Sequence, residues 1–260
     1  MDTRPMHDRL RQEAHLWLKP LDESGHSPPL DALSADERRR LETIRHPRAL
    51  HHFVAGRALV RQVLSQYAPV EPREWLFEKT ASGRPEIAAP DTDSRLRFNL
   101  SHTDGLVACL VTESIDCGVD VENLDRRVDI LGIASHSFTE AERAALERLP
   151  DPERTARFFD LWTLKEAYLK ACGSGLRLRL DVARFGVTSG GLIDHRISGV
   201  DFDNKSEWRF ALFRPDPEHL LAAAIRSGTS AHHEFRCWEL DNQSRARRLN
   251  LPAVAATALG

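Results

Sequence analysis

"FFDLWTLKEAYLKACGSGL", residues 158–176, has the composition of a buried helix but carries Glu166 and Lys170. At about 100° per residue, Phe158, Leu161, Trp162, Leu164, Tyr168, Leu169 and Cys172 cover most of its circumference, the pattern of a helix inside a core. Thr163, Glu166 and Lys170 fall on one narrow stripe, because positions three and four apart are neighbours on a helix surface. Read alone, the pair is an exposed Glu–Lys contact worth about 0.2–0.5 kcal/mol. Asp151 followed by Pro152 predicts the start of this helix, giving a span of about 152 to 172, and Gly173 predicts its end.

Working outward, Ser34 with Glu37 and Thr139 with Glu142 have the spacing of capping boxes. The first opens a predicted helix over about 35–46, and "ALHHFVAGRALVRQVLSQY" predicts a second ending at Tyr67. "WLFEKT", "RFNLS" and "LVACLVT" read as strands before the quoted helix; "ARFGVTS", "EWRFALF" and "HLLAAAIRS" read as strands after it. Helices followed by three strands therefore occur twice, which suggests duplicated architecture without a sequence repeat. The tail "SRARRLNLPAVAATALG" has no periodicity and reads as a mobile extension or a packed arm.

The chain has 260 residues, 41% hydrophobic and 29% charged, a composition that fits a soluble globular protein of one large domain or two of about 130 residues. With a net charge of −3, no global basic field points to nucleic acid. The arginine run "RRRLETIRHPR" is, alone, a solvated helix face. No signal-peptide core and no membrane-length apolar run is present, and the scattered Cys109, Cys117, Cys172 and Cys237 suit small core side chains in a reducing cytoplasm. The expected setting is cytoplasmic, without membrane or nucleic-acid partners.

Between the halves lies "IDCGVDVENLDRR". On a strand, Asp120 and Glu122 face one way and Val119 and Val121 the other. By themselves the acids read as solvated. Together with Glu166 they make three carboxylates in two elements, a hard-oxygen set suited to magnesium, while Cys/His zinc spacing is absent. "FNLSHTDG" (98–105) ends a strand with Ser101 and His102, whose hydroxyl and imidazole can donate to phosphate oxygens. No GxSxG elbow supports a serine hydrolase. "SGRP" (82–85) is a turn presenting Arg84, a planar donor suited to phosphate. The pieces describe a site for a polyphosphate-like ligand with a metal.

"SGRP", "FNLSHTDG", "GVDVE" and "FFDLWTLKEAYLKACGSGL" resemble, in order and spacing, the motifs of 4'-phosphopantetheinyl transferases of the surfactin-synthetase-activating (Sfp) type, over about residues 34–190. The resemblance implies an α+β fold of two similar halves, helices plus a small antiparallel sheet each, related by a pseudo-two-fold axis with the active site in the cleft between them. The implied division is 1–115 for the coenzyme A phosphate side, 116–240 for the magnesium and catalytic helix, and 241–260 for the tail. Asp120, Glu122 and Glu166 resemble the magnesium ligands, and Lys170 the lysine that reaches the pyrophosphate. Ser101, His102, Arg84 and Arg40 resemble further coenzyme A contacts. Glu37 stands where that family can have a lysine, which leaves Arg38, Arg39, Arg45 and Arg48 as other contacts for the 3'-phosphate.

The implied reaction transfers phosphopantetheine from coenzyme A to a serine hydroxyl of an apo carrier protein (acyl, peptidyl or aryl), releasing adenosine 3',5'-bisphosphate. Glu166, or a water beside it on the metal, is the expected base. A duplicated chain is expected to work as a monomer. Two other readings use the same residues: a magnesium-dependent phosphohydrolase of a nucleotide, and a catalytically dead carrier-binding module.

Overall fold

The computed structural model describes residues 4–21, 30–92, 95–173, 179–198, 208–226, 233–241 and 243–258. Residues 174–176 of the quoted stretch, with Glu207 and Ser227 of two predicted strands, lie outside them. In chain order the elements are α1 (Met6–Arg9), β1 (Glu13–Pro20), α2 (Ala35–Leu41), α3 (Pro47–Leu64), β2 (Leu76–Lys79), β3 (Pro85–Ala89), β4 (Leu96–Thr103), β5 (Leu106–Glu113), β6 (Cys117–Asn123), α4 (Ile130–Ser137), α5 (Glu140–Glu147) and α6 (Asp151–Cys172). There follow β7 (Ala183–Val187), β8 (Ile193–Ile197), β9 (Trp208–Asp216), β10 (His219–Arg226), β11 (Glu234–Leu240), β12 (Ala246–Arg248) and β13 (Ala255–Ala256).

Two sheets carry the molecule, one in the order β12-β11-β1-β5-β4 and one in the order β13-β9-β10-β6. Their residues sort by the period of two. Along β5, Val107, Cys109 and Val111 pack with Leu59 and Val63 of α3, while Leu106, Ala108 and Leu110 pack toward the second sheet. Along β10, Leu221, Ala223 and Ile225 join that inter-sheet core, while Leu220, Ala222 and Ala224 pack with Phe158, Leu161 and Tyr168 of α6. The layers are thus α3, first sheet, second sheet and α6. This is an α+β fold, with sheets that are antiparallel except where β1 runs parallel to β11. β11 belongs by sequence to the span 116–240 but by pairing to the first sheet.

Both expected capping boxes form, at Ser34–Glu37 and Thr139–Glu142. α2 stops at Leu41, short of the predicted 46, because His46 and Pro47 already begin α3. α6 begins at Asp151 with Pro150 in the capping position, one residue earlier than predicted, and ends where Gly173 takes φ +62°. The tail is a packed arm: β12 pairs with β11 and β13 with β9, so it touches both sheets.

Candidate active site

The glycine of "GVDVE" decides how α6 meets the second sheet. A Cβ on Gly118 would stand 2.0 Å from the Ala167 carbonyl oxygen and 2.4 Å from the Ala171 nitrogen, so the helix backbone rests directly on β6. Ala224, paired with Gly118, and Ala222, paired with Asp120, keep the neighbouring strand equally low. Residues 118, 120 and 122 share the face under α6, and Val119 and Val121 go to the inter-sheet core. Asp120 and Glu122 are accordingly buried under a helix and not solvated as the strand pattern alone suggests.

The stripe on α6 runs along these acids. Lys170 Nζ donates to Asp120 Oδ1 at 2.6 Å and to Ser101 Oγ at 2.8 Å. One turn back, burial and then the Asp120 charge raise the pKa of Glu166, with Lys170 opposing them. Two turns back, Trp162 Nε1 donates to Glu122 Oε1 at 2.7 Å. Burial and the Asp120 charge also raise the Glu122 pKa, against Arg126, Trp162 and Lys170. Thr163 takes no part: it is fully buried and its hydroxyl bonds back to the Phe159 carbonyl at 2.6 Å.

β4 supplies the other wall. Ser101 Oγ donates to Asp120 Oδ1 at 3.0 Å and accepts from the Val121 N–H at 3.3 Å, and Asn99 Oδ1 accepts from the Val119 N–H at 2.9 Å. Two side chains two residues apart thus bond the edge strand of one sheet to the edge strand of the other. His102 points to the opposite face, toward α3, its ring 5.0 Å from that of His52. Partial desolvation, then His52 and Lys170, hold the His102 pKa below the usual imidazole value. The Ser–His pair is therefore split between two faces of one strand.

Arg40 lies on exposed α2, its guanidinium 5.4 Å over the Phe53 ring, which Arg57 approaches from 5.6 Å. Among the described residues no contact joins Arg40 to the Ser101–Lys170 group. Glu37, at a position where the resembled family can have a lysine, caps α2 and accepts from buried Arg61 at 2.8 Å, so this position serves the fold. Arg48 is engaged with Asp104 at 3.1 Å. Arg84 is buried, its N–H groups turned to the carbonyls of Ala171 and Cys117 at 3.0 and 3.4 Å. A cavity of about 460 Å³, lined by Pro85, Leu100, Leu169 and Leu180 and by Glu166 and Lys170, opens beside the group.

Sequence reasoning missed Asn99, Trp162 and His52. The first two were legible: Asn99 shares a strand face with Ser101, and Trp162 is four residues before Glu166. His52 emerges only once α3 is docked on β4.

No group of three His, Cys, Asp or Glu side chains converges as a metal cluster among the described residues. Magnesium does not require one, since it takes one or two carboxylates and completes its shell with water and substrate phosphate. The donor set here is entirely oxygen, and buried Asp120 Oδ2 has no hydrogen-bond partner among the described residues, leaving one hard acceptor open. The residues present fit a hard divalent cation.

Two family models cover most of the chain: the 4'-phosphopantetheinyl transferase superfamily over residues 116–246, and the 4'-phosphopantetheinyl transferase N-terminal family over residues 21–114. The 4'-phosphopantetheinyl transferase HetI of Nostoc sp. is 38% identical over 169 residues, covering 64% of this chain and 71% of the relative. The 4'-phosphopantetheinyl transferase Sfp of Bacillus subtilis is 26% identical over 84% of this chain and 90% of its own length. Among solved structures, a holo-(acyl-carrier-protein) synthase of Bacillus anthracis in complex with coenzyme A aligns with a TM-score of 0.36 at 22% identity, covering 44% of this chain and 98% of that one. The two family models and the transferase relatives define a group-transfer enzyme. The chain belongs to the 4'-phosphopantetheinyl transferase superfamily.

Proposed function

We propose that this enzyme, a holo-carrier-protein synthase, is of the Sfp type, works with magnesium in the cytoplasm as a monomer, and uses the Lys170–Asp120–Ser101 group as the centre of its site. One observation carries the reading: Lys170 from α6 meets Asp120 from β6 and Ser101 from β4, so groups from both sides of the seam face one place. The similarity to Sfp along nearly its whole length supports the type.

The reaction moves phosphopantetheine from coenzyme A to a carrier serine. The serine oxygen bonds to the β-phosphorus, the bond to the bridging oxygen breaks, and adenosine 3',5'-bisphosphate leaves. Lys170 offers its ammonium to the pyrophosphate, exchanging Asp120 for a phosphate oxygen. Ser101 can donate to a phosphate oxygen in the same way, and His102 and Arg40 supply donors on the α3 side. Glu166, or a water beside it, is the base for the serine proton. One or two of Asp120, Glu122 and Glu166 would hold magnesium, which when bound would neutralise charge growing on the pyrophosphate. The apolar wall of the 460 Å³ cavity suits the pantetheine arm.

The test is incubation with magnesium, coenzyme A and a panel of apo acyl, peptidyl and aryl carriers, followed by intact-mass measurement. A phosphopantetheine adduct on the carrier serine is expected. Release of free phosphopantetheine with the carrier unchanged would establish the phosphohydrolase instead, and no turnover of any kind would leave a binding module.

A further inference from the structure

We infer that Arg84 is a positioning residue that holds the end of α6 against β6 so that Lys170 stands over Asp120, and that it is not a ligand of a coenzyme A phosphate. The inference rests on the transferase reading above.

The last carbonyls of a helix have no partner within it. Arg84 Nη1 supplies one to the Ala171 carbonyl at 3.0 Å and also reaches, at 3.5 Å, the Lys170 carbonyl, which accepts from the Gly173 N–H at 3.2 Å. Its Nη2 reaches the Cys117 carbonyl at 3.4 Å, at the start of β6 and three residues before Asp120. One planar fork therefore spans helix and strand, and one of the carbonyls it grips belongs to Lys170 itself. Gly173 completes the fit: a Cβ there would meet Arg84 Cδ and Nη1 at 3.3 Å, in addition to the strain of φ +62°.

The guanidinium also sits in a ring of alternating charge. Arg84 Nε lies 3.0 Å from Glu86 Oε1, and the same oxygen accepts from Arg97 Nη2 at 3.0 Å. Arg97 Nη1 lies 3.0 Å from Asp116 Oδ1, which stands 4.0 Å from Arg84 Nη1. The four residues come from the hairpin, β4 and the turn before β6, so the ring ties the first sheet to the end of α6. A side chain 7% exposed, with both Nη atoms bonded to backbone carbonyls, has its terminal fork committed to the backbone and turned away from phosphate. Lysine would keep the charge but lose the planar geometry that meets several acceptors at once.

Steady-state kinetics of the native enzyme, Arg84→Lys, Lys170→Ala and the double variant test this, with thermal melting as control. Arg84→Lys is expected to lower kcat about tenfold or more while KM for coenzyme A stays within about twofold, since small misplacements at a reacting centre are costly. Added to Lys170→Ala it should cost almost nothing further, because both changes remove the same correctly placed ammonium. A raised KM with kcat kept would make Arg84 a phosphate ligand, and equal losses in both backgrounds would make it merely structural; either overturns the inference. Should Arg84→Lys fail to fold, Glu86→Gln, which loosens the ring from outside the site, is judged by the same pattern. Amide exchange at Lys170–Gly173 gives a readout independent of turnover: faster exchange in the variant supports the clamp, and unchanged exchange overturns it. An inactive native enzyme would instead sink the transferase reading.

Discussion

The smallest residue of the site constrains it most. Gly118 has no unusual backbone conformation; it is glycine because α6 leaves no room for a methyl group above it. The obstacles are helix backbone, which cannot rotate aside as a side chain can, so Gly118→Ala must lift α6 or bend β6. Overpacking of this kind costs about 1–3 kcal/mol and occasionally more. A lower Tm and a loss of transfer activity are expected together, whereas a fully active variant with a native Tm would show that the helix stands higher than described. Glu166→Gln separates chemistry from folding. The side chain is half-buried and caps no helix, so the fold should melt normally while kcat falls about 10²-fold or more, the scale of lost acid–base help. Near-native turnover at saturating magnesium would reduce the stripe to a solvated helix face.

Among the elements, β1 hides the clearest example of a buried proton inventory. Trp17 Nε1 can only donate, and it donates to the Tyr67 hydroxyl at 2.7 Å. Tyr67 passes its own proton toward His15 Nδ1 at 2.9 Å, and His15 Nε2 donates to Glu13 at 2.8 Å. The chain is satisfied only with His15 neutral, and burial lowers its pKa accordingly. In the window below the ordinary imidazole value of about 6.5 the unfolded chain binds the proton more tightly than the folded one, so stability falls as pH drops. Glu13, whose pKa is lowered chiefly by its bond to His15, extends the loss below the ordinary glutamate range. Chemical denaturation at stepped pH should show this decline, and His15→Gln should remove its upper part; an unchanged slope would refute the assignment. β1 also shows what the sequence concealed. "EAHLWLKP" is buried on both faces, so it has no alternation, and its neighbours are at the far ends of other segments. β10, by contrast, was legible as an apolar run, and the quoted helix was legible almost to the residue. Lys165 was not: it sits on the apolar side of α6 and only the fold brings it to Glu142, 2.9 Å away. A motif pattern names the residues that face a ligand, but it cannot show that Arg84 faces backbone, because that depends on two elements meeting.

At the scale of the whole molecule, the same chain supplies both walls of the site. Asn99 and Ser101 bond the edge of the first sheet to the edge of the second. His219 adds a tie at the far end of the seam, with Nε2 2.7 Å from the Asp104 carbonyl oxygen and Nδ1 2.8 Å from Asp216. Since the tail also pairs with both sheets, the seam is closed at several points within one chain. A shared site between copies would require part of this seam to be supplied by a second chain, and no such gap exists among the described residues named here. The proposed monomer predicts specific activity constant on roughly hundredfold dilution, because an association that completes the site would be lost by mass action. Activity that falls with dilution, alongside sedimentation of an obligate oligomer at high concentration, would show that the walls of the working site come from different chains.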